Sequence, residues 1–166
     1  MNEHWRWLYE HAREKDHAEA SLADVLDVKA SILLVVITFL AQVAVSVFWL
    51  ESLPPNLPDL QLLNIGILVL GGTLLIAELW PRKYKFEDGD YLGELLAYIK
   101  DNADRLDSST LDQILESNAS FAIERIGVNF QLNSEKERFL KYAFRCVLIG
   151  VAIQLCILYV IAVQPK

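Results

Sequence analysis

Glycine and proline are absent from the first 53 residues, and no lysine or arginine occurs from Ala30 to Pro81. The first absence leaves nothing that would break a helix over residues 1–53. The second absence leaves the segment ESLPPNLPD, at 51–59, without a basic residue on either side of it. A long N-terminal helix and a strong asymmetry of positive charge are therefore predicted.

The sequence also lacks the common catalytic motifs. It contains no glycine-rich phosphate loop, no nucleophile elbow and no zincin motif. His4 and His11 share a helical stripe but lie about 10 Å apart along it, so one metal ion cannot take both. We expect neither an enzyme, nor a metal site, nor a cofactor. A membrane enzyme that binds a metal through Asp88 and Asp90 of the acidic run FEDGD is the weakest alternative.

Hydrophobic residues are abundant and occur in blocks. They make up 54% of the 166 residues, and the mean hydropathy is +0.28. The net charge of −7 argues against DNA as a partner, because duplex DNA is bound through basic surfaces. The blocks are the segments 30–50, 60–80 and 143–163, and each would span about 30 Å as a helix, the thickness of a bilayer core. The sequence predicts an all-α integral membrane protein with three transmembrane helices and the lipid bilayer as a partner.

The basic residues predict the orientation. Segment 1–29 carries four of them and segment 81–142 carries nine, whereas 51–59 has none. Basic segments stay on the cytoplasmic side. We expect 1–29 to form a cytoplasmic helix, 51–59 to form a short extracytoplasmic loop, and 81–142 to form a helical cytoplasmic region of a multi-pass protein.

Two helices are predicted within the second half of that cytoplasmic region. The pattern DSSTLDQILESNASFAIERIG predicts a helix that ends at Gly127. Ser134 and Glu137 form a capping box, which predicts that the next helix begins there. This last helix continues without a breaker into the third span, and it would link a cytoplasmic event to the bilayer.

Charged residues form a cluster at the cytoplasmic ends of the first two spans, namely Asp24, Asp27, Lys29 and Glu78. We expect a Lys29–Glu78 pair and an Asp27–Arg82 pair to hold these spans together. The alternative for Lys29 is that its ammonium reaches the headgroups while its stem lies in the apolar layer. Polar residues within the spans are sparse. Gln42, Asn64 and Gln154 can hydrogen-bond between helices, and the Gly71–Gly72 pair permits close helix packing.

The stretch LDVKASILL resembles the D-x-K-A pattern before the first span of the membrane effectors of Pycsar antiphage systems, the PycTM family. The matching residues are Asp27, Lys29 and Ala30. The exit WPRKYKF of the second span is similar to that of the family, and Lys136 and Lys141 lie near its basic positions. Immune effectors with SLATT domains share a similar two-span plan.

The resemblance implies a bacterial inner-membrane effector that responds to a cyclic pyrimidine nucleotide, cCMP or cUMP, and impairs the membrane to abort phage infection. The residues themselves suggest that such a phosphate would meet basic side chains, and the candidates are Arg82, Lys83, Arg105, Arg125, Arg138 and Lys141. We expect a homo-oligomer. The alternative function is a constitutive oligomeric membrane scaffold or subunit that takes no small-molecule signal.

Overall fold

The computed structural model describes residues 3–49, 57–84, 97, 101 and 108–163. These residues form three long α-helices and no strand. The helices are α1 (Glu3–Phe48), α2 (Leu57–Leu79) and α3 (Ser108–Val163). The predicted all-α class is confirmed, and all three helices are long and apolar enough to cross a membrane. The acidic run at 86–90 and the candidate ligand residue Arg105 lie outside the described residues.

Helix α1 is continuous for 46 residues, as the absence of glycine and proline predicts. At 1.5 Å per residue it is about 69 Å long. Ser31, Thr38 and Ser46 lie in its apolar half, and each hydroxyl donates to the carbonyl four residues earlier at 2.8 Å. Because these hydroxyls find acceptors within the helix, they can face hydrocarbon at low cost.

Helix α2 is bounded by prolines. Pro58 occupies its first turn, where the missing N–H donor costs nothing, and Asp59 complements the positive end of the helix dipole. The helix ends at Leu79, ahead of Trp80 and Pro81, because a proline disfavours helical geometry in the residue before it. Its 23 residues give about 34 Å, enough for one membrane crossing.

Helix α3 is one helix of 56 residues, so the predicted end at Gly127 and the predicted new start at Ser134 are both wrong. No described glycine has a positive φ, and Gly127 is an exposed helical residue. A single interior glycine costs about 1 kcal/mol, which the packing of flanking positions offsets. Buried positions continue in phase through the region, at Ala122, Asn129 and Lys136. Ser134 and Glu137 are therefore exposed polar residues in the interior of a helix, and they do not form a cap.

The buried and half-buried positions of α3 alternate three and four residues apart. The stripe with this spacing consists of Ala119, Ala122, Ile126, Asn129, Asn133, Lys136, Leu140, Ala143, Val147, Gly150, Gln154, Ile157 and Ile161, and it includes every residue of α3 that the structure describes as buried. Helix α2 has the same spacing at Leu57, Gln61, Asn64, Leu68, Gly71, Leu75 and Glu78. This spacing is typical of helices packed at a small crossing angle, as in coiled coils and bundles.

The chain divides into two compact units. Unit 1 comprises Met1–Ala23 and Arg82–Asn133, and unit 2 comprises Asp24–Pro81 and Ser134–Lys166. The main core of unit 2 is apolar and consists of Ala30, Ile37, Ala44, Leu68, Leu75, Ala143 and Val147. Among the described residues of unit 1, the buried positions are small or polar, namely Ala12, Ala23, Ala119, Ala122, Asn129 and Asn133.

The outer surface of unit 2 is also apolar. Val35, Phe39 and Leu155 are 70%, 63% and 62% exposed, and many further aliphatic side chains of its helices are exposed as well. An apolar surface of this extent is unfavourable in water but is the expected surface of a bundle in lipid. The outer surface of unit 2 is therefore the one expected of a helical bundle embedded in a membrane.

Candidate functional site

An ion pair joins α1 to α3 at the charged edge of unit 2. Asp27 accepts from the ammonium of Lys136, and the Lys136 side chain is 4% exposed whereas that of Asp27 is 45% exposed. Asp27 therefore pairs with Lys136, and the Asp27–Arg82 pair that the sequence predicted is not formed among the described residues. Lys136 lies on the buried seam of α3, and it brings its charge to α1 from within the packed interface.

The expected Lys29–Glu78 pair is not formed either. Lys29 is exposed on α1, whereas Glu78 on α2 is fully buried, and no ion pair joins these two described residues. The helical phase explains the difference. Lys29 precedes the buried Ala30 by one position and so points away from the seam, whereas Glu78 continues the seam of Gly71 and Leu75. Asp24, the remaining acidic residue of the cluster, is exposed on α1.

Three amide side chains meet inside the apolar unit 2. Gln61 and Asn64 of α2 are fully buried, and Gln154 of α3 is 5% exposed. The Gln154 Oε1 atom accepts from Asn64 Nδ2 at 2.8 Å and from Gln61 Nε2 at 3.3 Å. Gln61 Nε2 also donates to the carbonyl of Ala44 on α1 at 2.5 Å. We call Gln61, Asn64 and Gln154 the amide cluster; its hydrogen bonds reach all three helices.

The amide cluster keeps three polar atoms without a hydrogen-bond partner among the described residues: Gln61 Oε1, Asn64 Oδ1 and Gln154 Nε2. Two of them are acceptors and one is a donor, which is the complement of a water molecule. In a bilayer core an unsatisfied polar group costs several kcal/mol. Water that enters this site could therefore satisfy all three atoms.

The sequence predicted interhelical hydrogen bonds for Asn64 and Gln154, and the structure confirms them. Gln42, which was grouped with them, is exposed on α1 instead. Gln61 was missed because it lies near the start of α2, where a polar residue suggests a span end. The signal was present, since Gln61 and Asn64 are three apart and so share one face of the helix.

Two glycines allow the helices around this cluster to approach closely. A Cβ atom at Gly71 would lie 2.9 Å from the Cβ of Cys146, and one at Gly150 would lie 2.7 Å from Leu68 Cδ2 and 3.3 Å from Asn64 Oδ1. The prediction that the Gly71–Gly72 pair permits close packing is confirmed at Gly71. Gly72 is buried as well, but a Cβ there would make only an ordinary contact, 3.7 Å from Ile37 Cγ2. Such small-residue contacts are the usual means of helix association in membranes.

Unit 1 is held by polar contacts between α1 and α3. Arg125 Nε lies 3.1 Å from Asp16 Oδ2, and both side chains are 16% exposed. The Asn133 amide donates to the backbone carbonyl and to the carboxylate of Glu19, each at 2.8 Å. It also accepts from the Tyr84 hydroxyl at 2.9 Å. Among the described residues of this unit, the buried apolar side chains are alanines, and an ion pair and hydrogen bonds join α1 to α3.

The candidate ligand residues are divided between the two units. Arg82, Lys83 and Arg125 belong to unit 1, and Arg138 and Lys141 belong to unit 2. Arg138 lies over the Tyr142 ring at 5.9 Å, with Arg145 over the same ring at 5.5 Å. Lys141 pairs with Glu137 at 2.9 Å on the exposed surface of α3. Of these candidates, Arg125 combines partial burial with a carboxylate that an anionic ligand could displace.

The sequence matches one known protein family over nearly its whole length. Residues 11–163 match the family described as the Pycsar effector protein domain, PycTM. The chain belongs to the Pycsar effector family. No curated protein and no solved structure matches the chain. The resemblance drawn from LDVKASILL is confirmed, and the match includes α2, α3 and most of α1.

Membership in PycTM establishes the general role. The chain is a cyclic-nucleotide-signalled effector of antiphage defence, and Pycsar effectors respond to cyclic pyrimidine signals. PycTM is an effector family and not a known family of enzymes. Together with the three apolar helices, the family makes this chain a multi-pass membrane protein. Among the described residues, no group of three or more His, Cys, Asp or Glu side chains could hold a metal ion.

The structure gives a physical role to each residue of the PycTM-like motif in this Pycsar effector. Asp27 holds the buried ammonium of Lys136. Ala30 is fully buried in the core of unit 2, where a larger side chain would separate the helices. Lys29, between them, is left exposed at the edge of the apolar surface.

Proposed function

We propose that this Pycsar effector senses cCMP or cUMP through unit 1 and responds by impairing the inner membrane of the infected bacterium through unit 2, without catalysing a reaction. The observation that carries the proposal is the PycTM match over residues 11–163, because that range includes both the polar unit and the apolar unit. The distribution of basic residues supports a cytoplasmic location for unit 1, where a cyclase would release its product.

Unit 1 is suited to sensing because an ion pair and hydrogen bonds join its described parts of α1 and α3. A cyclic nucleotide carries one phosphodiester anion, and the Arg125 guanidinium is a donor of the kind that binds phosphate. Asp16 occupies that donor at 3.1 Å in the structure. An anion that displaces Asp16 would break this contact between α1 and α3 and replace it with a contact between Arg125 and the ligand. A ligand that binds only the rearranged unit shifts the population towards it.

Helices α1 and α3 both continue from unit 1 into unit 2. In the proposed response, a change of packing in unit 1 is transmitted along them. In unit 2 the hydrogen bonds of the amide cluster lie between the helices whose packing would change. When the helices part, the unpartnered atoms of Gln61, Asn64 and Gln154 become accessible to water, which stabilises the parted state. A hydrated row through the apolar unit, formed within one chain or between copies in an oligomer, would let solutes cross the membrane.

Calorimetry on the full-length protein in neutral-detergent micelles tests the sensing step. We expect heat of binding with cCMP or cUMP and none with cAMP, and we expect the Arg125→Ala variant to lose it. Arg13→Ala removes the same charge from an exposed position of α1 and should bind normally. Asp16→Ala breaks the same ion pair but keeps the guanidinium, so it should still bind. The absence of heat with both pyrimidine nucleotides would refute the sensing role.

Expression in bacterial cells tests the response. With a cyclase that makes the bound nucleotide, a membrane-impermeant dye should enter the cells, and without the cyclase it should stay out. Equal dye exclusion in both cultures, despite nucleotide binding, would favour the alternative of a constitutive scaffold or subunit.

A further inference from the structure

The aliphatic stems of two lysines help to line an apolar groove between α1 and α3 in unit 2. The groove has a volume of about 370 Å³ and is lined by Lys29, Ile32, Leu33, Leu140, Lys141 and Phe144. Apart from the two lysines, every lining side chain is a hydrocarbon. We propose that this groove binds an anionic phospholipid, with the headgroup phosphate at Lys29 and Lys141 and an acyl chain along the hydrocarbon walls.

The vertical order of the lining residues supports this occupant. Lys29 immediately precedes the uncharged apolar run that begins at Ala30, and Lys141 precedes Ala143 by two positions. Ile32 and Leu33 lie one helical turn beyond Lys29, and Phe144 lies one turn beyond Lys141. Both helices run in the same direction through the sequence-predicted spans, so Ile32, Leu33 and Phe144 lie deeper than the cations, and Leu140 is level with Lys141. A phospholipid has this order of anion and acyl chain.

The groove does not suit a cyclic nucleotide, although that ligand also carries a phosphodiester. A pyrimidine base needs hydrogen-bond partners, and the walls below the lysines offer none. Lys29 is exposed, and the Lys141–Glu137 pair, with side chains 66% and 54% exposed, is weak enough for a phosphate to replace. Neutral phospholipids lack the net charge that two lysines favour. The charge pattern therefore selects anionic lipids.

Native mass spectrometry of the full-length protein, released from neutral-detergent micelles that contain equal amounts of phosphatidylglycerol and phosphatidylcholine, tests the proposal. We expect the wild-type protein to retain phosphatidylglycerol preferentially. Lys29→Ala and Lys141→Ala should each lower that preference roughly fivefold, the effect of one lysine near an anionic surface. Lys15→Ala, an equal charge change at an exposed position outside the groove, should leave it unchanged.

The hydrocarbon walls provide a second comparison. Phe144→Ala removes one wall at a residue that is 48% exposed, and it should reduce retention of phosphatidylglycerol. Phe39→Ala, at a 63% exposed position of α1 outside the groove, should not. Equal retention of both lipids by the wild type, or equal effects of Lys15→Ala and Lys29→Ala, would overturn the proposal. So would normal retention by Phe144→Ala, because diffuse charge attraction needs no groove. The assay contains no nucleotide, so its outcome is independent of the sensing role.

Discussion

The carboxylate of Asp27 on α1 accepts from the ammonium of Lys136 on α3, and of the two side chains it is the lysine that is buried. The unequal burial of the two side chains follows from their positions on the helices. Lys136 lies on the seam that packs against the other helices, whereas Asp27 lies beside the buried Leu26 and is half-exposed. Water can therefore solvate the aspartate but not the lysine.

The two halves of this ion pair should respond differently to mutation. Asp27→Ala removes a carboxylate that pairs with a buried ammonium and should cost roughly 1–3 kcal/mol of unfolding free energy. Lys136→Met keeps the aliphatic stem, removes the buried charge and leaves a solvated carboxylate, so it should cost less than about 1 kcal/mol. Unfolding of the detergent-solubilised protein in denaturant measures both values. A larger loss for Lys136→Met than for Asp27→Ala would show that the aspartate is the buried partner.

The amide cluster should behave non-additively. Gln154→Leu leaves the donors of Gln61 and Asn64 without their shared acceptor and should cost roughly 1–3 kcal/mol. Replacing all three amides with leucine removes the polar groups together and should restore most of that stability. The triple variant should bind nucleotide but cause no leakage, since it cannot hydrate. Gln42→Leu, on the exposed surface of α1, is the matched control and should leak like the wild type. Additive losses of stability would contradict a shared site.

The glycines of α2 should also differ. Gly71→Ala places a Cβ atom 2.9 Å from Cys146 and should destabilise unit 2 by roughly 1–3 kcal/mol. Gly66→Ala meets nothing within 4 Å, and it should raise stability by up to about 1 kcal/mol through helix propensity. Thermal unfolding of the two variants gives the comparison. Equal effects would show that α2 and α3 do not pack closely at Gly71.

The continuity of α3 can be tested at Gly127. Gly127→Ala should stabilise the protein by about 1 kcal/mol, because a Cβ there meets nothing within 4 Å and the residue is helical. Gly127→Pro should break the helix and abolish nucleotide-induced leakage while the apolar helices still insert. The pair of variants distinguishes a continuous helix from a hinge. If glycine instead ended a helix in the left-handed conformation, the alanine variant would be destabilised.

The ion pair of unit 1 should limit ligand affinity. Asp16→Asn keeps the size of the side chain but frees the guanidinium of Arg125 for a phosphate. We expect nucleotide binding to tighten about fivefold, since a partly exposed pair is worth about 1 kcal/mol. Titration calorimetry measures the change. The control is Glu10→Gln, which breaks the exposed Arg6–Glu10 pair on α1. Weaker binding by Asp16→Asn would mean that the aspartate supports the site instead of competing for it.

The sequence was sufficient for the all-α class and for three helices long and apolar enough to cross a membrane, because runs of aliphatic residues without charge have few alternatives to a membrane helix. It also predicted the close packing at Gly71 and the interhelical hydrogen bonds of Asn64 and Gln154, but not that these two residues bond to each other. It was insufficient for partners across helices. Asp27 could have paired with any basic residue at the same depth, and only the register of α3 against α1 selects Lys136.

Local signals also misled where the packing of α3 overrode them. Gly127 and the Ser134–Glu137 pattern resemble a helix end and a helix start, but the buried positions of α3 keep their spacing through both. Gln61 was missed because its position near the start of α2 gave no hint of depth. In each case the decisive quantity was the phase of a residue relative to the packed seam.

Dye release from liposomes that contain the purified full-length protein tests the central claim most directly. Unilamellar vesicles filled with a self-quenched dye are mixed with cCMP, cUMP, cAMP or cGMP, and the nucleotide is present on both sides of the membrane so that either insertion orientation responds. The account predicts rapid release with one or both pyrimidine nucleotides, none with the purine nucleotides, and none from vesicles that carry the triple-leucine variant of the amide cluster. Release that is the same with and without nucleotide, or no release with any of the four, would contradict it.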